Sequence, residues 1–88
     1  MTEIEKKMIK HTMISELSEL EDILNQFSKN LSIDKIKNIY NIPELVGLSG
    51  EVSAAYKSIA ISIYHLKLSA EQAKNCTTKS IRAIKNNM

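Results

Sequence analysis

Few side chains in this 88-residue chain are of types that carry catalysis or bind metals, and their spacing favours neither role. His11 and His65 stand far apart in sequence, and neither has a second ligand three or four positions later, although a zinc site needs converging ligands. Cys76 has no histidine near it in sequence that could activate its thiol. We therefore predict neither a metal site nor a nucleophilic catalyst.

Acidic and glycine-containing stretches are equally unspecific. Four acids, Glu16, Glu19, Glu21 and Asp22, lie close together, but on the outer face of a helix such carboxylates are normally solvated. The segment from Gly47 to Gly50 lacks the Gly-Lys-Ser/Thr ending of a phosphate-binding loop. The chain is predicted not to be an enzyme and to use no cofactor.

The basic residues near the C-terminus are a stronger candidate for a site. The set is Lys67, Lys74, Lys79, Arg82 and Lys85, with no acid after Gln72. Cations at the end of a helix complement its dipole, and they can also contact an acidic protein surface or nucleic-acid phosphates. All three interpretations stay open.

These residues lie on a long amphipathic helix, predicted to begin at residue 45 or 50 and to end near residue 86. From Val52 to Thr77 the apolar and small residues are alternately four and three positions apart, which is the heptad pattern of a helical packing seam. No Gly or Pro follows Gly50, so nothing obliges this helix to break. The residues predicted to form the seam are Tyr56, Ile59, Ile63, Leu66 and Ala70.

The length of this helix predicts a partner. About 36 residues form a rod of about 54 Å, whereas a compact chain of this size is only roughly 30 Å across. Either the helix kinks near Thr77–Thr78, or its far end packs on another chain, which is the interpretation we favour. The residues expected to face that partner are Ala73, Thr77, Ile81 and Ile84.

Two further helices are predicted before the long one. A heptad-like seam from Met13 to Leu31 predicts a helix over residues 3–29 with Thr2 as its N-cap. Ser32 is expected to cap a short helix over residues 33–40, which Asn41 and Pro43 end. The whole chain is then one all-α domain, residues 1–88. We expect an antiparallel helical hairpin with the short helix at its corner, completed by oligomerisation or a partner.

Composition and charge agree with this fold. A single Pro and two Gly argue against a β fold. A lone cysteine, no apolar run of roughly 20 residues and no signal-like N-terminus predict a cytoplasmic protein that does not bind membranes.

Residues 1–44 carry six Lys against eight acids, and residues 45–88 carry six Lys or Arg against two acids. The acidic flank of the first helix should therefore lie beside Lys57, Lys67 and Lys74.

One stretch resembles known proteins at a coarse level. Ser32-Ile33-Asp34 and Ile42-Pro43-Glu44-Leu45, followed by a long helix, resemble small phage recombination-mediator proteins, and the helical hairpin resembles small chaperones of bacterial secretion systems. The resemblance covers about half of the chain and includes no chemically specific motif. It implies a small helical binding protein and assigns a role to no residue.

Together these patterns predict a non-catalytic protein-binding module that acts through its amphipathic helix seam. An inhibitor, adaptor or chaperone of bacterial or phage origin, binding itself or a different protein, fits this description. The alternative is a nucleic-acid-binding accessory protein that uses the basic C-terminal helix. Protein binding through an apolar seam should be nearly insensitive to salt, whereas nucleic-acid binding should weaken steeply as salt rises.

Overall fold

The computed structural model describes residues 1–88 and contains three helices and no strand. They are α1 (Glu3–Asn30), α2 (Ile33–Leu45) and α3 (Gly50–Asn86). The predicted all-α class is confirmed. The third helix is continuous through Thr77 and Thr78, so the kink considered for that region does not interrupt it.

Two of the helix starts follow from capping side chains. Thr2 Oγ1 accepts a hydrogen bond from the backbone N–H of Glu5 at 3.2 Å, and Ser32 Oγ accepts one from the N–H of Lys35 at 3.2 Å. Each bond satisfies one of the four N–H groups that a helix start leaves without a partner. Ser49 is the N-cap residue of α3, but its side chain makes no capping hydrogen bond.

The second helix is longer than predicted, because Pro43 lies inside its last turn instead of ending it. Within that turn a proline removes only one hydrogen bond, to the carbonyl four residues earlier, and Pro43 is fully buried. The helix ends through Gly47, which has a φ of +74°. The backbone N–H of Gly47 donates a hydrogen bond to Glu44 O at 3.3 Å, and the N–H of Leu48 donates one to Pro43 O at 2.7 Å. This paired arrangement is a Schellman motif, so Gly47 and not Asn41 stops the helix.

Both shorter helices pack antiparallel on α3, one after the other along its length. Lys10 Nζ donates to Asn87 O at 2.9 Å, Ser28 Oγ donates to Glu71 at 3.0 Å, and Lys57 Nζ reaches Glu44 at 3.4 Å. The residue numbers of such partners always add up to about 95 to 101. A residue of α1 or α2 therefore lies at the same height along the rod as the α3 residue whose number, added to its own, gives about 95 to 101. We call two such residues level with each other.

The prediction that the short helix forms the corner of the hairpin is therefore wrong. The chain reverses in the loop between α2 and α3, residues 46–49, and α2 continues the line of α1 instead of turning it. The 28 residues of α1 and 13 of α2 together match the 37 of α3 in length. The result is a rod of 67 × 18 × 15 Å with a radius of gyration of 19.9 Å, not the compact globule assumed from chain length.

The core of this rod is small. Only seven of 88 residues are buried, and the set is Ser28, Ile36, Pro43, Ala60, Ala70, Thr77 and Ile81. Large apolar side chains are at least two-fifths exposed at many positions of all three helices. Since the burial of apolar surface is the main favourable term in folding, the isolated chain leaves much of its stabilising potential unused.

Candidate protein-binding face

The contact between α1 and α3 is partly polar. Lys67 Nζ donates to Ser28 O at 2.7 Å and to Ser28 Oγ at 3.3 Å, and it pairs with Glu71 at 3.4 Å. Ser28 is itself buried, and its hydroxyl donates to Glu71. Further along, Thr78 donates to Glu21 across the same pair of helices. No buried side-chain nitrogen or oxygen lacks a partner. These bonds join particular positions of α1 to particular positions of α3, so they favour one register between the two helices.

The face of α3 that meets the other helices is rotated by less than one residue position from the predicted seam, since Ile63 and Ala70 belong to both. The buried and half-buried positions of this face include Lys57, Ala60, Lys67, Ala70 and Lys74. Of the predicted seam, Ala70 is buried and Ile63 half-buried, whereas Tyr56, Ile59 and Leu66 are exposed. Ala60 and Ala70, which are buried, have short side chains, whereas three of the bulkier residues of the predicted seam stay outside.

The first helix is rotated in the same way. Ile14, Leu17 and Leu24 turn toward α3, while Met13 and Phe27, which the sequence also placed in the seam, are exposed. Both rotations expose their apolar residues on the same side of the rod. We call this side the apolar face. It consists of Ile9, Met13, Leu20, Ile23 and Phe27 on α1 and Val52, Tyr56, Ile59, Leu66 and Ala73 on α3.

An open groove marks the middle of the apolar face. Its walls are Ile23 and Phe27 of α1 and Leu66 and Ala73 of α3, with Leu24, Ser69 and Ala70 along its floor and edge, and its volume is about 370 Å³. No charged residue lines it. The groove lies near the centre of α3, whose midpoint is Leu68. Such a depression accepts apolar side chains from another helix.

The opposite side of the same helices is a polar face, formed by Asn25, Ser28, Lys29, Lys67, Glu71, Lys74 and Asn75. Nearer the other end, a smaller apolar depression of about 220 Å³ lies between α2 and α3 and includes Tyr40, Ile61 and Tyr64. The α1–α3 half of the molecule is therefore two-sided, with one apolar and one polar face.

The structure separates the predicted basic patch into two groups. Lys67 is largely covered, because it is engaged with Ser28 and Glu71, and Lys74 is half-buried at the polar face. Lys79, Arg82 and Lys85 are exposed and form no ion pair.

The residues predicted to face a partner lie mostly inside the chain. Thr77 is 7% exposed, Ile81 9% exposed and Ile84 half-buried against α1, and Ala73 alone is exposed. The length estimate places this end of the helix beyond the rest of the chain. The structure differs, because α1 lies along this end of α3 and Lys10 reaches as far as Asn87.

The predicted pairing of acids on α1 with lysines of α3 is also not observed. The ion pairs are Lys6–Glu3, Lys57–Glu44 and Lys67–Glu71, and none joins α1 to α3. Lys57 also lies 5.5 Å from the centre of the Tyr40 ring. The acids at Glu16 and Glu19 are left exposed beside the apolar face.

Ile9 and Ile23 belong to the apolar face although sequence reasoning did not assign them to it. In α1, Ile9, Met13, Glu16, Leu20, Ile23 and Phe27 are spaced alternately four and three apart. This second heptad stripe overlaps the predicted one at Met13, Leu20 and Phe27. Adjacent apolar pairs such as Ile23-Leu24 were the available signal, since they widen the apolar sector beyond what one neighbouring helix can cover.

Other kinds of site have little support in the geometry. No group of three or more His, Cys, Asp or Glu side chains is placed to hold a metal ion. Cys76 is exposed and unpaired. None of the three helices is both long and apolar enough to cross a membrane.

The candidate functional features are therefore the apolar face with its groove and the partly polar contact between α1 and α3. Comparison of the chain with protein-family models, with curated proteins and with solved structures gives no match.

Proposed function

We propose that this protein is a non-catalytic protein-binding module and that its apolar face is the binding surface. The observation that carries the proposal is the two-sided α1–α3 half, in which bulky apolar residues lie on one side and hydrogen-bonded polar residues on the other. Large, contiguous exposed apolar surface on a small protein usually marks an interaction site.

The size of the face is adequate for specific recognition. Nine large apolar side chains, each between about two-fifths and two-thirds exposed, line it. Together they present on the order of 800 Å² of surface, about what one partner buries in a standard protein–protein interface. A helical partner would complete the core that the chain by itself leaves small. The roles that fit such a module are inhibitor, adaptor or chaperone, in a bacterium or a phage.

Matched variants of α3 test this proposal. Leu66 lies on the apolar face and is 51% exposed, whereas Leu68 is 41% exposed and lies 200° further round the helix, on the other side. Leu66→Asp should place a carboxylate in the groove, and Leu68→Asp should place the same group in solvent. Circular dichroism of both variants checks that the helices still form.

Tagged wild-type, Leu66→Asp and Leu68→Asp chains serve as baits for untagged chain and for extract of the source cells. The expected result is at least one polypeptide, its own chain included, that wild type and Leu68→Asp retain and Leu66→Asp loses. Retention should hardly change between about 0.1 and 0.5 M salt, because apolar contacts are not screened. Equal capture by all three baits would exclude the apolar face as the binding surface.

A second candidate function is favoured by one observation. Lys79, Arg82 and Lys85 are exposed and form no ion pair, so their charges are available to an anionic partner. As a nucleic-acid-binding accessory protein, the chain should lose affinity with a slope of roughly −2 to −3 in log salt, as expected when three phosphates are neutralised. Titration of a labelled duplex and a labelled single strand at several salt concentrations measures this slope. Substitution of the three residues by Gln should abolish binding, while Leu66→Asp should not.

A further inference from the structure

We infer that the occupant of the apolar face is a second copy of this chain, with α1 of each copy lying over the C-terminal half of α3 of the other. This inference rests on the proposed function and names the partner of the same surface. The two copies are related by a two-fold axis parallel to the long axis of the rod. The two rods therefore point the same way, and residues at the same level of the two copies meet.

The area of the apolar face matches that of a dimer interface. Each copy offers on the order of 800 Å² of apolar face, and a stable dimer of standard size buries about that much from each partner. The face runs along most of the rod, from Ile9 at one end to Val52 at the other. A second rod of the same length covers the face fully. The dimer then has four helices in cross-section along the whole length of α3, as in a four-helix bundle.

The residues that meet across this interface are complementary in size. At the α1–α3 end, the apolar face of α1 carries bulky residues such as Leu20, Ile23 and Phe27. The side of α3 at the same levels carries small ones, Ala73, Cys76 and Ser80. Bulky residues on one helix over small residues on the other allow the close interdigitation that packed interfaces show. The chosen axis brings these two surfaces together.

Charges at the rim of the apolar face also favour this arrangement. Glu16 and Glu19 are exposed acids beside the apolar face of α1, and Lys79 is an exposed cation of α3 that forms no ion pair. With the axis along the rod, Glu19 of one copy is level with Lys79 of the other, and Glu16 lies one turn away. An axis across the rod would instead stack α3 on α3, and Lys79 would then be level with Lys57. Opposite charges at the rim therefore select the first arrangement.

A cysteine introduced at Ile23 tests the arrangement directly. Ile23 is 64% exposed at the outer edge of the apolar face, and it is level with Cys76, which is also exposed. Within one chain these two residues lie on opposite outer edges of a helix pair whose axes are about 8–10 Å apart, too far for a disulfide. Across the proposed interface they converge on the same edge.

Oxidation of Ile23→Cys with oxidised glutathione should give a covalent dimer joined from residue 23 to residue 76, identified by peptide mapping under non-reducing conditions. Asp22→Cys is the matched control, because its side chain lies at nearly the same level but toward the polar face. It should give at least tenfold less cross-linked dimer. Equal cross-linking of both variants, links only between like residues, or no link at all would overturn the inference.

Light scattering on a size-exclusion column supplies the independent measurement. Wild type and Leu68→Asp should have twice the monomer mass of 9.9 kDa at a chain concentration of about 100 µM. Leu66→Asp should weaken the dimer by at least about 100-fold while keeping its helicity. A monomeric wild-type chain overturns the second-copy inference. If the apolar face still captures a different protein in the bait experiment, the proposed function stands without it.

Discussion

The two halves of this rod are held together in different ways. Where α2 meets α3, the buried residues are Ile36, Pro43 and Ala60, all apolar. Where α1 meets α3, the buried residues are Ser28 of α1 with Ala70, Thr77 and Ile81 of α3, so two of the four are polar, and Lys67 hydrogen-bonds to Ser28. A helix of 13 residues thus buries more of its own apolar side chains than a helix of 28.

This difference shows what each contact does. The α2 half is a small conventional core in which close packing excludes water. In the α1 half, hydrogen bonds across the helices set their register, while most bulky residues of α1 remain outside. Hydrogen bonds contribute only about 0.5–1.5 kcal/mol each, so they align the helices more than they stabilise them. The apolar face, and with it the expected partner, belongs mainly to this half.

The largest effect should come from Ile81→Asp, which would put a charge into the α1 half. Ile81 is one of only two buried large aliphatic residues, so the carboxylate would lose its water without gaining a partner. We expect a loss of more than about 3 kcal/mol in the free energy of unfolding, enough to abolish a cooperative transition in a domain of this size. Thermal denaturation followed by circular dichroism at fixed protein concentration measures it.

Asn75→Asp is the control for that experiment, since it introduces the same group at an exposed position of α3. A cooperative transition close to that of wild type in Ile81→Asp would show that α1 does not cover this end of α3. The residue would then be free for the partner-facing role that sequence alone suggested.

Ile36→Ala should have the next largest effect and tests the α2 half. Removal of a buried Ile side chain leaves a cavity, and the expected cost is about 2–4 kcal/mol. Ile33→Ala, on the same helix but 39% exposed, should cost clearly less. Urea unfolding monitored by circular dichroism compares them. Equal costs would mean that α2 has no well-packed core.

Lys67→Met tests whether the polar network aligns α1. The substitution keeps most of the aliphatic volume but removes the donor to Ser28 and the partner of Glu71. We expect a loss of about 1–2 kcal/mol, together with faster amide hydrogen exchange in α1. Lys85→Met, at an exposed lysine of the same helix, should change exchange little. Unaltered protection of α1 in Lys67→Met would exclude the network as the element that sets register.

The smallest effect is expected for Glu44→Gln in the α2 half. Its carboxylate pairs with Lys57 at 3.4 Å but is 68% exposed, and exposed pairs contribute only about 0–1 kcal/mol. We expect a change of less than about 0.5 kcal/mol that disappears in 1 M salt. A larger, salt-resistant loss would show that the α2 half also depends on polar contacts.

Sequence reasoning succeeded where the cause is local. Helix type followed from the heptad spacing, and the starts of α1 and α2 followed from Thr2 and Ser32, because a cap is a contact between residues three positions apart. It failed at the end of α2, where the stop depends on the backbone geometry of Gly47 and not on the expected roles of Asn41 and Pro43.

The tertiary structure determines which side of each helix turns toward the other helices. On α3 the heptad stripe of Tyr56, Ile59 and Leu66 competes with a neighbouring stripe containing Lys57, Ala60 and Lys67. One sequence pattern allows both, since the two stripes lie side by side on the helix and share Ile63 and Ala70. Only the positions of α1 and α2 show that the second stripe faces inward.

The sequence by itself determined that this chain forms amphipathic helices, because periodicity and capping act within a few turns. The tertiary structure decided that α2 extends the line of α1, that Thr77 and Ile81 are covered within the chain, and that the bulkiest stripe stays outside. These outcomes depend on matched helix lengths and on which stripe of α3 meets α1 and α2, which are relations between distant segments.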